Sequence, residues 1–356
     1  MDEVLNATYL TLDGYVEVNK YRYVYFFIFF ILYSLIICSN STIVYIIWIH
    51  KNLHEPMYTF IAALLLNCVL YSTTVYPKLL IDFLSERQVT TYSACLLQFF
   101  MFYTLGSSEF FLLAAMAYDR YVAICKPLQY QTIMSKTTVS IFLAVAWLVP
   151  VCHIAVLTAG SAEATLCNFN LKGIFCNNAV YTLQCVKSRL ITVFGVVALI
   201  DLVILPMLFI VFTYSNIFIL TYQSCKDVRK KALETCLPHL LVLFSFSCLS
   251  IYDVSIARVE SDFPKTARLI MALQIVLYHP LLNPFIYGLK MKEISKQLKR
   301  FFYHAKIISW VTTTTGTNHL VVAAQYSSFS NGGAEHCPFG LNVSNLPRNA
   351  VEALPE

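Results

Sequence analysis

The sequence predicts an all-α membrane protein: a seven-transmembrane helix bundle with a short amphipathic helix after helix seven. Three observations carry this expectation: a composition too apolar for a soluble domain, seven apolar runs long enough to cross a bilayer, and basic residues gathered on one side of those runs. Hydrophobic residues make up 58% of the chain and charged residues 13%, whereas a soluble domain carries about 25% charged residues. Mean hydropathy is +0.64. The 26 Phe and 23 Tyr suit aromatic belts at two interfaces and a ligand pocket lined with rings. The net charge of +5 does not point to nucleic acid, because the basic residues flank apolar spans and form no domain of their own.

An N-terminal arm, residues 1–22, precedes the spans and carries the sequon Asn6-Ala7-Thr8, whose glycosylation at Asn6 requires the arm to be extracellular. The first span, Tyr23–His50, begins too late and is too long for a cleavable signal, so it serves as its own insertion signal. A second sequon, Asn40-Ser41-Thr42, lies inside that span, out of reach of glycosylation. The next spans are Phe60–Leu84 and Cys95–Ile124, the latter ending in MAYDRYVAIC, and then Val139–Ala159. About 20 apolar residues at 1.5 Å per residue cross the hydrocarbon, and each run meets that length. After the loop from Ser161 to Arg189 come Leu190–Tyr222, Ala232–Tyr252 and Thr266–Leu289. Seven crossings put the termini on opposite sides. Lys126, Lys136, Lys226, Arg229, Lys230, Lys231 and the cluster Lys290, Lys292, Lys296, Lys299, Arg300 then share one face, which the positive-inside bias makes cytosolic. Beyond the last span, Ile294, Leu298, Phe301 and Phe302 oppose the lysines as one apolar face, predicting an amphipathic helix on the inner leaflet. The membrane core thus covers 23–303, and the tail, 304–356, reads as a disordered cytoplasmic segment with Thr312 to Thr315, Ser327, Ser328 and Ser330 as candidate phosphorylation sites.

Twelve cysteines divide by position. Cys95, Cys167, Cys176 and Cys185 fall on the oxidising side, where four cysteines allow three pairings. The others sit in spans or on the cytosolic side and read as small apolar residues or reduced thiols.

Asp119-Arg120-Tyr121 at the inner mouth of the third span is expensive to hold beside lipid, and it reads as a switch. Asp119 neutralises Arg120 at rest, and Arg120 becomes available to a cytoplasmic partner when the bundle opens. Asn283-Pro284-Phe285-Ile286-Tyr287 removes a backbone hydrogen bond at Pro284, which makes a hinge with a polar latch in Tyr287. Asp201 before Pro206 on span five, and Asp253 near the outer end of span six, suggest a pocket able to hold a cation, with a helix-helix hydrogen bond for Asp201 and a solvated helix end for Asp253 as the alternative. His153 and His279 read as packing residues at membrane depth. No inverted repeat points to a transporter. No HExxH, GxSxG or paired-His array points to an enzyme, and no cofactor-binding motif is read.

LHEPMY at Leu53 to Tyr58, MAYDRYVAICKPLQY at Met116 to Tyr130, TYSNI at Thr213 to Ile217, KALETCLPHL at Lys231 to Leu240 and LNPFIYG at Leu282 to Gly288 stand in order along the spans. In that order the chain resembles a vertebrate odorant receptor of the rhodopsin-like G-protein-coupled receptor superfamily, with phrasing closest to the fish repertoire. The resemblance implies a small odorant bound in the outer half of the bundle, and a heterotrimeric G protein of the stimulatory olfactory type, raising cAMP. It implies location in olfactory neuron cilia. It implies the disulfides Cys95 with Cys176 and Cys167 with Cys185, and places Tyr214 and His239 in the coupling machinery with Asp119, Arg120, Tyr121, Asn283, Pro284 and Tyr287. Its geometry nominates Phe102, Tyr103, Gly106, Ser107, Asp201 and Val254 as ligand contacts. Glu109 matches the acid the family carries on helix three, whereas Cys68 stands where the family has an Asp on helix two. A sodium site is therefore not expected, and Glu109 is expected to be protonated or bonded to Asn67, Ser108 or Asn283. Phe102 in place of a carboxylate argues against a biogenic-amine receptor, and the lack of a span-seven lysine before Lys290 argues against an opsin. A non-olfactory receptor for a peptide or lipid is the alternative, against which KALETCLPHL weighs.

Overall fold

The computed structural model describes residues 9–186, 188–222, 264–315 and scattered positions between 236 and 250. It divides into two units, residues 1–298 and 299–356; apart from the helix Lys292–Thr315, which crosses that boundary, the features below lie in the first. Six helices among the described residues are long and apolar enough to cross a membrane. They are Val18–Ile49, Pro56–Leu84, Tyr92–Cys125, Lys136–Ala162, a fifth running from Arg189 through a π-turn at Ile200–Ile204 to Tyr222, and Lys265–Lys290, the seventh span of the sequence. The described positions between 236 and 250 are helical and belong to the expected sixth span.

Helix ends fall outside the apolar runs because capping groups set them. Thr91 Oγ1 accepts the Ala94 N–H at 3.3 Å, and Ser135 Oγ accepts that of Thr138 at 3.2 Å, each satisfying a donor that the first turn leaves free. Pro56 opens span two at a position where its missing N–H costs nothing. Inside span seven, Pro284 cannot donate to the Pro280 carbonyl four residues back. Asn40 on span one supplies the missing partner, donating from Nδ2 to that carbonyl at 2.8 Å, and it is wholly buried. Spans two and three bury most of their surface and form the centre, whereas spans one, four and five present apolar faces outward.

A small sheet accompanies the helical bundle. At the end of the bundle away from Arg120, three short strands form a sheet in the order β2-β1-β3, with β1 at Tyr9–Leu12, β2 at Val89–Thr91 and β3 at Asn170–Leu171. β1 runs antiparallel to β2, pairing Tyr9 with Thr91, and parallel to β3, pairing Thr11 with Asn170. Leu10 and Leu12 are buried while Tyr9 and Thr11 are exposed, the period of two that a half-covered strand requires. The arm continues over the bundle. The Tyr15 hydroxyl lies 3.0 Å from Asp82 Oδ2 and 3.1 Å from the Ile174 carbonyl, and Lys265 pairs with Asp13 at 2.7 Å. Burial, then the Asp82 carboxylate, hold the Tyr15 phenol protonated well above the usual range. Gly14 has no room for a side chain, since a Cβ would stand 2.4 Å from the Gly173 carbonyl carbon.

The amphipathic helix runs from Lys292 to Thr315, past the boundary at Tyr303 expected from the sequence. Ile294 is fully buried. The tail beyond Thr315 lies outside the described residues, as do Asn6, His239, Asp253 and Val254.

Candidate functional site

A cavity of about 680 Å³ opens within the bundle between the sheet and the midpoint of span three. Phe102, Tyr103, Gly106 and Ser107 on span three line it, together with Tyr71, Phe99 and Phe110. These four are the span-three ligand contacts nominated from the sequence, and one helix face brings them together because they recur at steps of three and four. Gly106 keeps the wall open beside Tyr71, whose ring edge would lie 3.7 Å from an added Cβ. Span five contributes Gly195, Ala198 and Leu202, and Phe246 closes the floor. Among the described residues no Asp, Glu, Lys, Arg or His lines this space. Its polar groups are hydroxyls and amides, among them Tyr181, whose phenol burial pushes up to about 12, so it is neutral at physiological pH.

Asp201 does not join them. The π-turn places its carboxylate 3.4 Å from His153 Nε2 on span four, with the side chain 39% exposed and outside the cavity lining. The helix-helix hydrogen bond, rather than the cation pocket, describes this residue. Sequence reasoning missed the contribution of the loop between spans four and five, which supplies Asn178, Tyr181, Thr182 and Gln184 to the lining. The loop is held by Cys95–Cys176 and Cys167–Cys185, the pairings that the resemblance implies. The Asn178 N–H also donates to the Tyr103 hydroxyl at 3.0 Å. The cysteine spacing was the available signal that this loop is pinned over the bundle.

Directly beneath the cavity lies a buried polar cluster. His279 Nδ1 is 2.6 Å from Glu109 Oε1, with side-chain exposures of 1% and 2%, and Asn283 donates from Nδ2 to the same oxygen at 3.0 Å. The Asn283 amide also lies 3.1 Å from Cys68 Sγ. Of the partners expected for Glu109, Asn283 is present, whereas Asn67 donates to the Leu105 carbonyl and Ser108 to that of Thr104. His279 is therefore not a bare packing residue. The sequence could not show this because 170 residues separate it from Glu109. The Phe246 ring, which lines the cavity, packs edge-on against the His279 imidazole at 3.9 Å between centroids. Among the described residues no group of three His, Cys, Asp or Glu side chains is placed to hold a metal ion.

At the opposite end of span three, Asp119 is fully buried and accepts from Arg120 twice, once from Nε at 3.0 Å and once from Nη2. Its second oxygen accepts from the Tyr130 hydroxyl at 2.7 Å. Burial, followed by the Asp119 charge, holds the Tyr130 phenol protonated above its usual range. Tyr121 is half-buried beside this pair. Tyr214 on span five and Tyr287 on span seven are both buried at this end, and the Tyr214 hydroxyl has no hydrogen-bond partner among the described residues.

Comparison with known proteins places this arrangement. The family model described as Olfactory receptor matches residues 29–305. Olfactory receptor 11G2 of Homo sapiens is 34% identical over 284 residues, covering 78% of this chain and 81% of that protein. Olfactory receptor 1500 of Rattus norvegicus is 32% identical over 297 residues, 81% of this chain and 93% of its own length. The Olfactory receptor-like protein OLF4 of Canis lupus familiaris is 32% identical over 293 residues, with coverages of 81% and 94%. With a multi-pass helical bundle, a match that runs through the spans and relatives aligned over most of both chains, the protein belongs to the olfactory receptor family.

Proposed function

We propose that the protein detects a neutral, small odorant in the 680 Å³ cavity and activates a heterotrimeric G protein of the stimulatory olfactory type, raising cAMP. The observation that carries this reading is the chemistry of the cavity wall: aromatic rings and neutral hydroxyls and amides, with no charged group among the described lining residues. A cation would lose its hydration there without gaining a counter-ion, whereas a ring-lined space of this volume suits a molecule with one or two polar atoms. Phe102, Tyr103, Gly106 and Ser107 are the contacts, and Asp201 is set aside because its carboxylate is engaged with His153.

In this reading the sheet end is extracellular, with Asn6 glycosylated, and the Arg120 end is cytosolic. Ligand binding shifts the population toward an arrangement in which Arg120 leaves Asp119 and meets the G protein. Tyr121, Tyr214, His239, Asn283, Pro284 and Tyr287 are the moving and receiving parts. The amphipathic helix rests on inner-leaflet lipid, the tail serves arrestin, and the cilia of olfactory neurons are the site of action. The fish-type phrasing of the motifs is a reading of their wording, since the relatives named above are mammalian.

The test is a cAMP reporter cell line challenged with a panel of neutral odorants and of amines matched in size. Neutral agonists are expected, and Gly106→Trp, which fills the cavity beside Tyr71, should silence them while receptor remains at the cell surface. Agonism confined to amines, or agonism indifferent to Gly106→Trp, would sink the reading.

A further inference from the structure

The cavity is roofed over spans two and three but has an exposed flank. Phe175 of the loop between spans four and five is buried against Phe102, with ring centroids 4.9 Å apart. The loop is tied to span three there by Cys95–Cys176 and by the Cys176 N–H donating to Gln98 Oε1 at 2.9 Å. The arm lies on top, with Tyr15 bonded to the Ile174 carbonyl and Gly14 pressed against Gly173. A molecule arriving along the bundle axis over these spans meets covalently pinned, buried protein.

Among the described residues that line the cavity, two are exposed: Thr182, at the end of the loop's helical turn, and Thr192, on the first turn of span five. Gln184 and Ser188, each half-buried, complete the rim. Both exposed hydroxyls already donate to backbone, Thr182 to Ala179 at 2.7 Å and Thr192 to Ser188 at 2.9 Å, so the rim holds a passing solute only weakly. The helix surface beside Thr192 is formed by Val193, 62% exposed, and Val196, one turn on, 37% exposed. Apolar side chains left uncovered along a membrane span face hydrocarbon. The flank therefore opens toward lipid.

We propose that ligand enters the cavity sideways from the bilayer, between the loop and the first turn of span five, past Thr182, Ser188 and Thr192. The class it admits is neutral and lipophilic, since each added methylene enriches such a solute about fourfold in hydrocarbon over water. The proposal rests on the cavity being the ligand site, but its test needs no agonist. Ser107→Cys is introduced in the full chain, reconstituted in liposomes, and labelled either with N-ethylmaleimide, neutral and membrane-soluble, or with trimethylammonioethyl methanethiosulfonate, cationic and impermeant. Mass spectrometry of the peptide carrying position 107 reads the rate apart from the native cysteines. The maleimide should label at least about tenfold faster relative to each reagent's rate on free thiol, and Thr192→Trp should slow it by about tenfold while Thr192→Ala does not. Thr182→Trp is a second plug, read in the same way if Thr192→Trp fails to fold. Labelling by the cationic reagent at its full relative rate, or a maleimide rate unchanged by a folded plug, would overturn lateral entry and leave the odorant reading intact.

Discussion

Replacing His279 by Leu probes the buried pair beneath the cavity. The imidazole is one of two donors to Glu109 Oε1, at 2.6 Å, and both side chains are almost wholly out of solvent. Removing one member leaves a buried polar group short of a hydrogen-bond partner, at a cost of about 1–3 kcal/mol. The Asn283 amide still donates to the same oxygen at 3.0 Å, which places the expected loss near the lower end, about 1 kcal/mol. Glu109→Leu alone strands the imidazole and should cost a similar amount. The double variant exchanges the pair for two packed aliphatic chains, and replacing both partners of a buried hydrogen bond by apolar groups can be nearly neutral. With single costs of about 1 kcal/mol each and a nearly neutral double variant, the double-mutant cycle should return a coupling of about 2 kcal/mol, measured as the unfolding equilibrium in mixed micelles with ligand absent. Strictly additive single effects, with coupling under about 0.5 kcal/mol, would show that the two groups do not hold one another and would refute the reasoning.

Arg120→Ala should abolish ligand-driven cAMP while surface labelling of the receptor stays at the parental level. Tyr130→Phe removes the 2.7 Å hydrogen bond to Asp119, a bond to a charged acceptor worth about 1.5–3 kcal/mol, and should raise cAMP in the absence of ligand. Because the Tyr130 phenol is held above its unfolded value, its contribution is complete below about pH 10 and is lost as pH rises through the folded value; basal cAMP of the parent should then be flat across neutral pH. Gly14→Ala drives a methyl against the Gly173 backbone, an overpacking that should cost about 1–3 kcal/mol and be seen as faster proteolytic removal of the arm. Asp201→Asn should leave the potency of neutral agonists unchanged in the cAMP reporter, since that side chain lies outside the cavity lining.

Hydropathy made the spans legible because the energy that selects them is local: each run of apolar residues carries its own reason to leave water. Their ends were less so, since Thr91 and Ser135 terminate helices through single hydrogen bonds that an apolar average does not register. The span-three wall of the cavity was also legible, because Phe102, Tyr103, Gly106 and Ser107 belong to one helix with a fixed period. What escaped depends on contacts between distant segments. β1 is a short alternating stretch, YLTL, that becomes a strand only when β2 and β3 offer their edges. Asp201 looked like a pocket residue until a π-turn re-aimed it toward His153. Asp82, which pairs with Lys78 one helical turn before it, also meets Tyr15 of the arm, a contact between segments 67 residues apart that the sequence does not register.

Contact between the cavity and the Arg120 end does not by itself transmit a signal; an element with two arrangements is required. Three features near span seven bear on that need. Phe246 touches both the cavity and the His279 ring, so a ligand that displaces it also disturbs the donor that holds Glu109. Glu109 shares its oxygen with Asn283, the residue before the Pro284 break, where the helix lacks a backbone hydrogen bond and bends at lower cost. Beyond the break, the buried Tyr214 hydroxyl lacks a partner among the described residues, a deficit of about 1–3 kcal/mol that a rearrangement bringing it a partner would remove. The bundle thus carries a polar restraint above the Pro284 break and, among the described residues, an unmet hydrogen bond below it. An energy difference of a few kcal/mol between arrangements is the range that a small ligand can overcome through differential affinity, and these opposing terms are of that size.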